Sequence, residues 1–275
     1  MIRLIDLLRH LKNCLMSKNI VHKWDSVSQF SRYLAKTPTS GVFKSVDGLL
    51  SQNADYDFHR THSWGEADNL LRTGDRELFK KMTAREKVKG VKGTGIASKH
   101  QYFTDVCGFV PHVPNYVMGL PNNMINKKIV RYKSSKVVTV MYNPSVHHDI
   151  KTDEMIDAAI KVMDFVLSLE REGYKVNLYI IHGSSKRSES ITNIVRIKAS
   201  EDYTDKLKLA YPMINPSMFR RHFVRCMEVS GLTNEDFVHG YGRPLMDKTE
   251  TEKQLKMNNV KYDYLFTFNS LPTTK

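Results

Sequence analysis

The stretch that most constrains this chain runs from Lys136 to Lys198. An apolar run, Val137-Val138-Thr139-Val140-Met141-Tyr142, meets a turn at Asn143-Pro144-Ser145. A long amphipathic segment follows from Thr152 to Glu172 and stops at Gly173, before a second apolar run, Val176-Asn177-Leu178-Tyr179-Ile180-Ile181. In the amphipathic segment Met155, Ile156, Ala159, Ile160, Val162, Met163, Val166, Leu167 and Leu169 recur at three- and four-residue steps, which makes one wide apolar stripe. Thr152 is placed to cap a helix, and Asp153 and Glu154 put acid in its first turn, where the helix dipole favours it. Gly173 can take the left-handed conformation that ends a helix. The flanking runs are apolar nearly throughout, as strands covered on both faces are. The pattern predicts strand, right-handed crossover helix and parallel strand. A third run, Ile191 to Lys198, alternates like a more exposed strand. Only the polar stretch Gly183–Ser190 precedes it, too short for a helical crossover, so an antiparallel neighbour is expected.

The rest of the chain is arranged around this unit. Met1 to Leu15 carries spaced apolar residues interrupted by charge, a short amphipathic helix rather than a signal peptide. Met16 offers a second start, so those residues are expected to be dispensable. Asp25 to Leu34 reads as a capped helix. Ser63 with Glu66 forms a capping box for a helix carrying Trp64, Ala67, Leu70 and Leu71 on one face. Asp75 to Lys87 reads as another helix. Residues 1–100 are thus expected to form a helical layer. In 101–135 the density of Pro and Gly excludes regular structure, while the apolar residues between them argue for an extended segment packed on the core. Residues 136–275 are expected to form the α/β domain. In it, Asn215 and Pro216 start a helix through Val229, Met246 to Asn259 reads as a linker, and Tyr262 to Phe268 is a final strand.

With 42 Lys and Arg against 29 Asp and Glu, the 275-residue chain carries +13. That excess points to a polyanionic partner, most simply nucleic acid, bound through phosphate contacts that are salt-sensitive and blind to sequence. Lys80, Lys81, Arg85, Lys87, Lys89, Lys92 and Lys99 cluster with Glu86 as the one acid among them. Arg220 and Arg221 are further candidates for phosphate or a substrate carboxylate. For each, the plain alternative is a solvated surface. Gly90-Val91-Lys92-Gly93 matches the short backbone-clamping loop of KH domains, without the surrounding KH pattern. Three scattered cysteines, Cys14, Cys107 and Cys226, argue against a disulfide framework and for a reducing compartment. No apolar run reaches the roughly 18 residues of a membrane span.

Chemistry is expected beyond the C-terminal ends of the parallel strands, where open α/β sheets hold ligands. The turn after the first strand offers Asn143, Ser145, His147, His148 and Asp149, a candidate divalent-metal site, although adjacent histidines tend to point apart. The turn after the second strand offers His182 and Ser184 as residues at the ligand-binding edge. Nucleophilic catalysis by Ser145 or Ser184 with His182 has no Gly-x-Ser-x-Gly elbow behind it. The balance leans away from an enzyme, and no cofactor beyond that metal is indicated.

Two resemblances add to this. Strand, turn and capped helix ending in Leu169-Glu170-Arg171-Glu172-Gly173-Tyr174, then strand, resembles the opening of a von Willebrand factor A domain over residues 136–198. The resemblance implies a Rossmann-like, doubly wound, mostly parallel sheet with an antiparallel strand near its edge. That family's metal turn is Asp-x-Ser-x-Ser. Asn143, Ser145 and His147 stand at those positions, and losing the aspartate removes the anionic ligand a hard cation needs. More broadly, Trp64-Gly65-Glu66-Ala67, Leu70-Leu71, Gly74-Asp75, Gly108-Phe109-Val110-Pro111-His112-Val113-Pro114, Gly119-Leu120-Pro121 and Phe219-Arg220-Arg221 are similar to an uncharacterised family of tailed phages and their bacterial hosts. That implies a phage or mobile-element protein in the cytoplasm of a bacterial host. Three functions follow as expectations. The first is non-enzymatic nucleic-acid contact through a basic surface. The second is a von Willebrand A-like scaffold docking a protein partner at Asn143–Asp149. The third is a metal-dependent hydrolase or nuclease using His147, Asp149 and His182.

Overall fold

The computed structural model describes residues 18–85, 99–130, 136–187 and 189–272. In chain order they give strand β1 (Lys18–Trp24), helices α1 (Val27–Lys36), α2 (Trp64–Thr73) and α3 (Arg76–Arg85), then strands β2 (Lys99–Asp105), β3 (Val110–Pro111) and β4 (Met124–Val130). Strand β5 (Val137–Asn143), helix α4 (Thr152–Arg171), and strands β6 (Lys175–Lys186) and β7 (Glu189–Lys198) follow. Helix α5 (Lys206–Ile214), a π-helical segment (Met218–Phe223) running into α6 (Val224–Val229), β8 (Arg243–Pro244), α7 (Lys248–Met257) and β9 (Tyr264–Thr267) complete the order. No helix among the described residues is long and apolar enough to cross a membrane.

The strand–helix–strand unit stands as the sequence predicts: β5 and β6 pair in parallel, with α4 between them. The cap differs by one residue, since Lys151 occupies the N-cap position and makes no side-chain capping bond. Strand β7 is the antiparallel neighbour of β6. Gly183 to Lys186 is not a loop but the end of β6; Arg187 is in the left-handed region, and β7 begins at Glu189. The principal sheet runs β1-β7-β6-β5-β9, with β8 added beside the far end of β6. Three of its pairings are parallel and two antiparallel, so the fold is a mixed α/β arrangement with a mostly parallel sheet.

Alternation along the strands splits the core. Val138, Val140, Tyr142, Val176, Leu178, Ile180 and Val195 face the main cluster, packed under α4, α5, the helices of the front third and the segment 218–229. Met141, Ile181, Ile194 and Leu265 face the other way, where Leu255 of α7 covers them. So Met246–Asn259 is not a linker. Helix α7 presents few apolar residues because it covers only one corner of that face.

The front third shares the main core instead of forming a layer of its own. Trp24, Phe30, Leu34, Ala67, Leu71, Leu78 and Met82 all belong to the cluster holding Val140 and Ile180. Strand β1 was not expected. Only Trp24 of its seven residues is buried, so no apolar run marks it, yet it pairs in parallel with β7 throughout. Ser63 caps α2 as expected, and the capped helix read over Asp25 to Leu34 is α1, with Ser26 as its cap. The expectation for 101–135 is overturned. Residues 99–130 form a separate antiparallel sheet, β2-β4-β3, in which no described side chain is buried.

Shared packing sets the first expectation. The Trp24 ring meets Phe30 edge-on at 4.8 Å and lies tilted against Tyr33 at 5.3 Å. Trp24→Ala should cost about 3–5 kcal/mol, the usual loss for a large buried aromatic. Urea unfolding should show one transition shifted as a whole; a separate transition for the front third would contradict a common core.

Candidate functional site

Strand β5 leaves the sheet at Asn143, while β6 continues to Lys186. Beyond the point of departure, β8 takes β5's place, pairing Pro244 with Ser184 and Arg243 with Ser185. Asn143 fixes this exchange. Its side-chain amide donates to the Leu245 carbonyl at 2.7 Å and to Thr251 Oγ1 at 3.0 Å, and its Oδ1 accepts from the Ser145 amide. Asn143 is therefore spent on the fold and is not a metal ligand. Ser145 is buried behind it, its hydroxyl without a partner. Asn143, Ser145 and His147 do not make a donor set that fits a hard divalent cation. Further along, His147, His148 and Asp149 are exposed, and their ligand atoms lie within 4.8 Å of one another. Against expectation, the adjacent histidines converge.

Between this turn and the β8 turn lies a cleft of about 250 Å³. Val146, Phe58, Phe219, Val224, Met227 and Leu50 give it apolar walls; His147, His148, His182, Lys186, Arg220 and Arg243 supply its nitrogen groups. No acidic residue lines it among the described residues.

His182 sits on β6 opposite Asn193 of β7, a register that puts both side chains on one face. Cys226 Sγ donates to Asn193 Oδ1 at 3.2 Å, so the Asn193 amide is left to donate to His182 Nδ1, also at 3.2 Å. With Nδ1 accepting, the ring proton resides on Nε2. The imidazole stacks on Phe223 at 5.2 Å with the rings 14° apart. Burial pushes its pKa down to about 3, so it is a neutral donor throughout the physiological range.

The remaining wall comes from the π-helical turn, a rare geometry that recurs at functional sites. It turns Arg220 and Arg221 inward, so neither is the solvated surface arginine of the plain alternative. Arg221 is wholly buried, with Nε on Thr61 Oγ1, Nη1 on the Ser51 carbonyl and Nη2 on the Thr61 carbonyl. It binds residues 51–61 to the helix. Arg220, 3% exposed, lies 4.2 Å over the Phe58 ring and donates to the carbonyls of Phe58 and Ile150. It also donates to Thr152 Oγ1 at 3.4 Å; its Nε has no partner, and Asp55, whose charge favours the guanidinium, makes no hydrogen bond to it. Burial lowers its pKa to about 10, which still leaves it charged at neutral pH.

Ser184 is held as firmly as Asn143. Its hydroxyl donates to the Tyr241 carbonyl at 2.7 Å, so it clamps the β8 turn. Gly242 has φ +79°, and a Cβ there would come within 2.5 Å of Ser184 Oγ and 2.7 Å of the Phe237 ring. Behind the turn, Tyr241 donates to the buried Glu228 at 2.9 Å, and Glu228 also accepts from Ser51 and Arg225.

The structure brings His147 and His182 to one cleft, as the rim argument expects, and adds Arg220. Lys80 and Lys81 are exposed on α3, and Arg85 closes that helix; Lys87, Lys89 and Lys92 lie outside the described residues. Lys186, Arg243 and Asn193 were missed. Asn193 carried a signal, being polar in the apolar run of its strand. Lys186 and Arg243 went unmarked because Gly183–Ser190 reads as a polar connection and not as the continuation of the strand that β8 pairs with.

Fold and site together define an α/β protein with a cationic, acid-free cleft at the rim of its sheet. By sequence the chain belongs to the family described as a domain of unknown function (DUF7192), which matches residues 9–267. No curated protein and no solved structure matches it.

Buried neutral imidazoles make stability depend on pH. The folded pKa falls from 6.5 to about 3 for His182 and to about 4 for His59 and His222, in each case chiefly by burial. Depressed values mean that the unfolded chain binds more protons below pH 6.5. Stability is therefore full above that pH and is lost as the pH drops toward 4, by about 1.4 kcal/mol per pH unit for each imidazole. Urea midpoints at pH 7 and pH 5 should differ accordingly, and His182→Asn should flatten the dependence.

Proposed function

We propose that this protein, a phage or mobile-element product, contacts nucleic acid without acting on it, and that the rim cleft seats a backbone phosphate. The observation that carries this is Arg220. A charged guanidinium, almost wholly buried, is held in the cleft wall by the Phe58 and Ile150 carbonyls, the Thr152 hydroxyl and the Phe58 ring, with Asp55 favouring its charge from beyond hydrogen-bond distance. An isolated buried charge is costly, typically several kcal/mol, and a bound anion offsets that cost. Lys186 and Arg243 at the same cleft, and the +13 of the whole chain, favour a polyanion over a lone carboxylate. The hydroxyl and amide groups that could have served catalysis, on Ser184 and Asn143, are engaged in holding loops.

Filter binding across a salt series tests this. Affinity should fall as salt rises, and Lys186→Ala or Arg243→Ala should each weaken binding alike for all sequences and reduce the salt slope by about one. Affinity indifferent to salt would refute phosphate contact.

A second reading rests on His147, His148 and Asp149. Two imidazoles and a carboxylate with ligand atoms within 4.8 Å suit zinc or another borderline transition metal better than magnesium or calcium. That would favour a metal-dependent hydrolase or nuclease, with His182 at the cleft but outside the metal cluster. Purified protein should then hold about one metal per chain, as a single site of this kind would, and lose it in His147→Ala; metal-free protein sinks this alternative. A protein-docking scaffold of the von Willebrand A kind has less behind it, because Asn143 and Ser145 are buried.

A further inference from the structure

We propose that the small β2-β4-β3 sheet is a stacking platform for unpaired nucleic-acid bases, with Tyr102, Phe109 and Lys127 as its contact residues. The proposal rests on the nucleic-acid reading above and names the form of nucleic acid: single-stranded.

Among the described residues this sheet has no buried side chain, and Tyr102, Phe103, Phe109 and Val110 are exposed. Tyr102 is 63% and Phe109 55% exposed. Tyr102 of β2 pairs with Lys127 of β4, and opposite residues in an antiparallel ladder project from the same face. Phe109 joins them there. Its ring centroid is 6.2 Å from that of Tyr102, and the Lys127 ammonium lies 5.6 Å above the Phe109 ring.

Backbone geometry holds Phe109 in place. Its amide donates to the Ile125 carbonyl at 3.0 Å, and the chain approaches β4 so closely at Gly108 that a Cβ would lie 2.2 Å from that oxygen. The one acid of β2, Asp105, falls on the opposite side by strand alternation and accepts from the Val106 amide.

Exposed rings beside a cation, on a face without acid, match what an unpaired strand offers: flat bases to stack on the rings and phosphates to meet the ammonium. A duplex keeps its bases stacked on one another and presents no free face. A protein partner would have no need of Lys127 beside the rings or of the chain's large positive charge.

The test compares one single-stranded oligonucleotide with a duplex of the same length, by fluorescence anisotropy at fixed salt. The single strand should bind at least about 10-fold tighter, and Tyr102→Ala or Phe109→Ala should each weaken its binding by about 10-fold, the effect of losing one base-stacking ring. Duplex binding should not change, Tyr102→Phe should retain single-strand affinity, and melting temperatures should stay at the parent value because neither ring is buried. Equal affinity for both forms, or single-strand binding indifferent to both alanine variants, overturns the platform. In that case Lys186→Ala and Arg243→Ala separate the two claims: if they still weaken binding, phosphate contact at the cleft survives alone. Failure of the parent protein to bind either form overturns both.

Discussion

The unequal length of two paired strands organises this molecule. Strands β5 and β6 run together for six residue pairs and are covered on both faces. Then β5 stops at Asn143, and β6 continues with one side of its backbone unpaired. Unpaired strand groups away from water are costly, and the two-residue β8 covers them. Asn143 bonds to the Leu245 carbonyl just past β8, so the residue that ends one strand also fastens its replacement. The cleft is the space between the departing turn and the arriving one. Its position follows from the ladder, and its lining follows from which side chains the two turns carry.

The second constraint is the burial of two arginines side by side. An ordinary α-helical turn sends consecutive residues about 100° apart, so one of the pair would meet water. The wider π turn lets both reach inward. Arg221 repays its desolvation with three hydrogen bonds to neutral groups, which tie residues 51–61 to the helix. Arg220 is less well satisfied, its Nε lacking a partner. The first is structural; the second leaves charge directed at the cleft.

Much of the fold could be read from the residues because its central elements are strongly periodic. The stripe on Thr152–Arg171 and the apolar runs beside it left one arrangement, and the cap residue Ser63 marked its helix. Elements covered on one side only were harder to read. Strand β1 buries Trp24 alone, and α7 buries Thr251 and Leu255. The proline-rich segment misled for the opposite reason: its apolar residues suggested packing, but it forms a sheet in which no described side chain is buried. At the site, His147 and His182 were legible from their places past the strand ends. The commitment of Asn143 and Ser184 to backbone carbonyls was not, because those partners lie 102 and 57 residues away.

Glu228 has a consequence for selectivity. It stands behind the cleft wall and draws the Tyr241 hydroxyl toward itself, while that same oxygen accepts from the Leu50 amide. Both hydrogen-bonding capacities of the phenol are thereby taken up inside the protein. A molecule entering the cleft meets Tyr241 as an aromatic surface and not as a hydroxyl. Discrimination there falls to charge and contour, and guests differing only in where they carry a hydrogen-bonding group opposite that ring should be admitted alike.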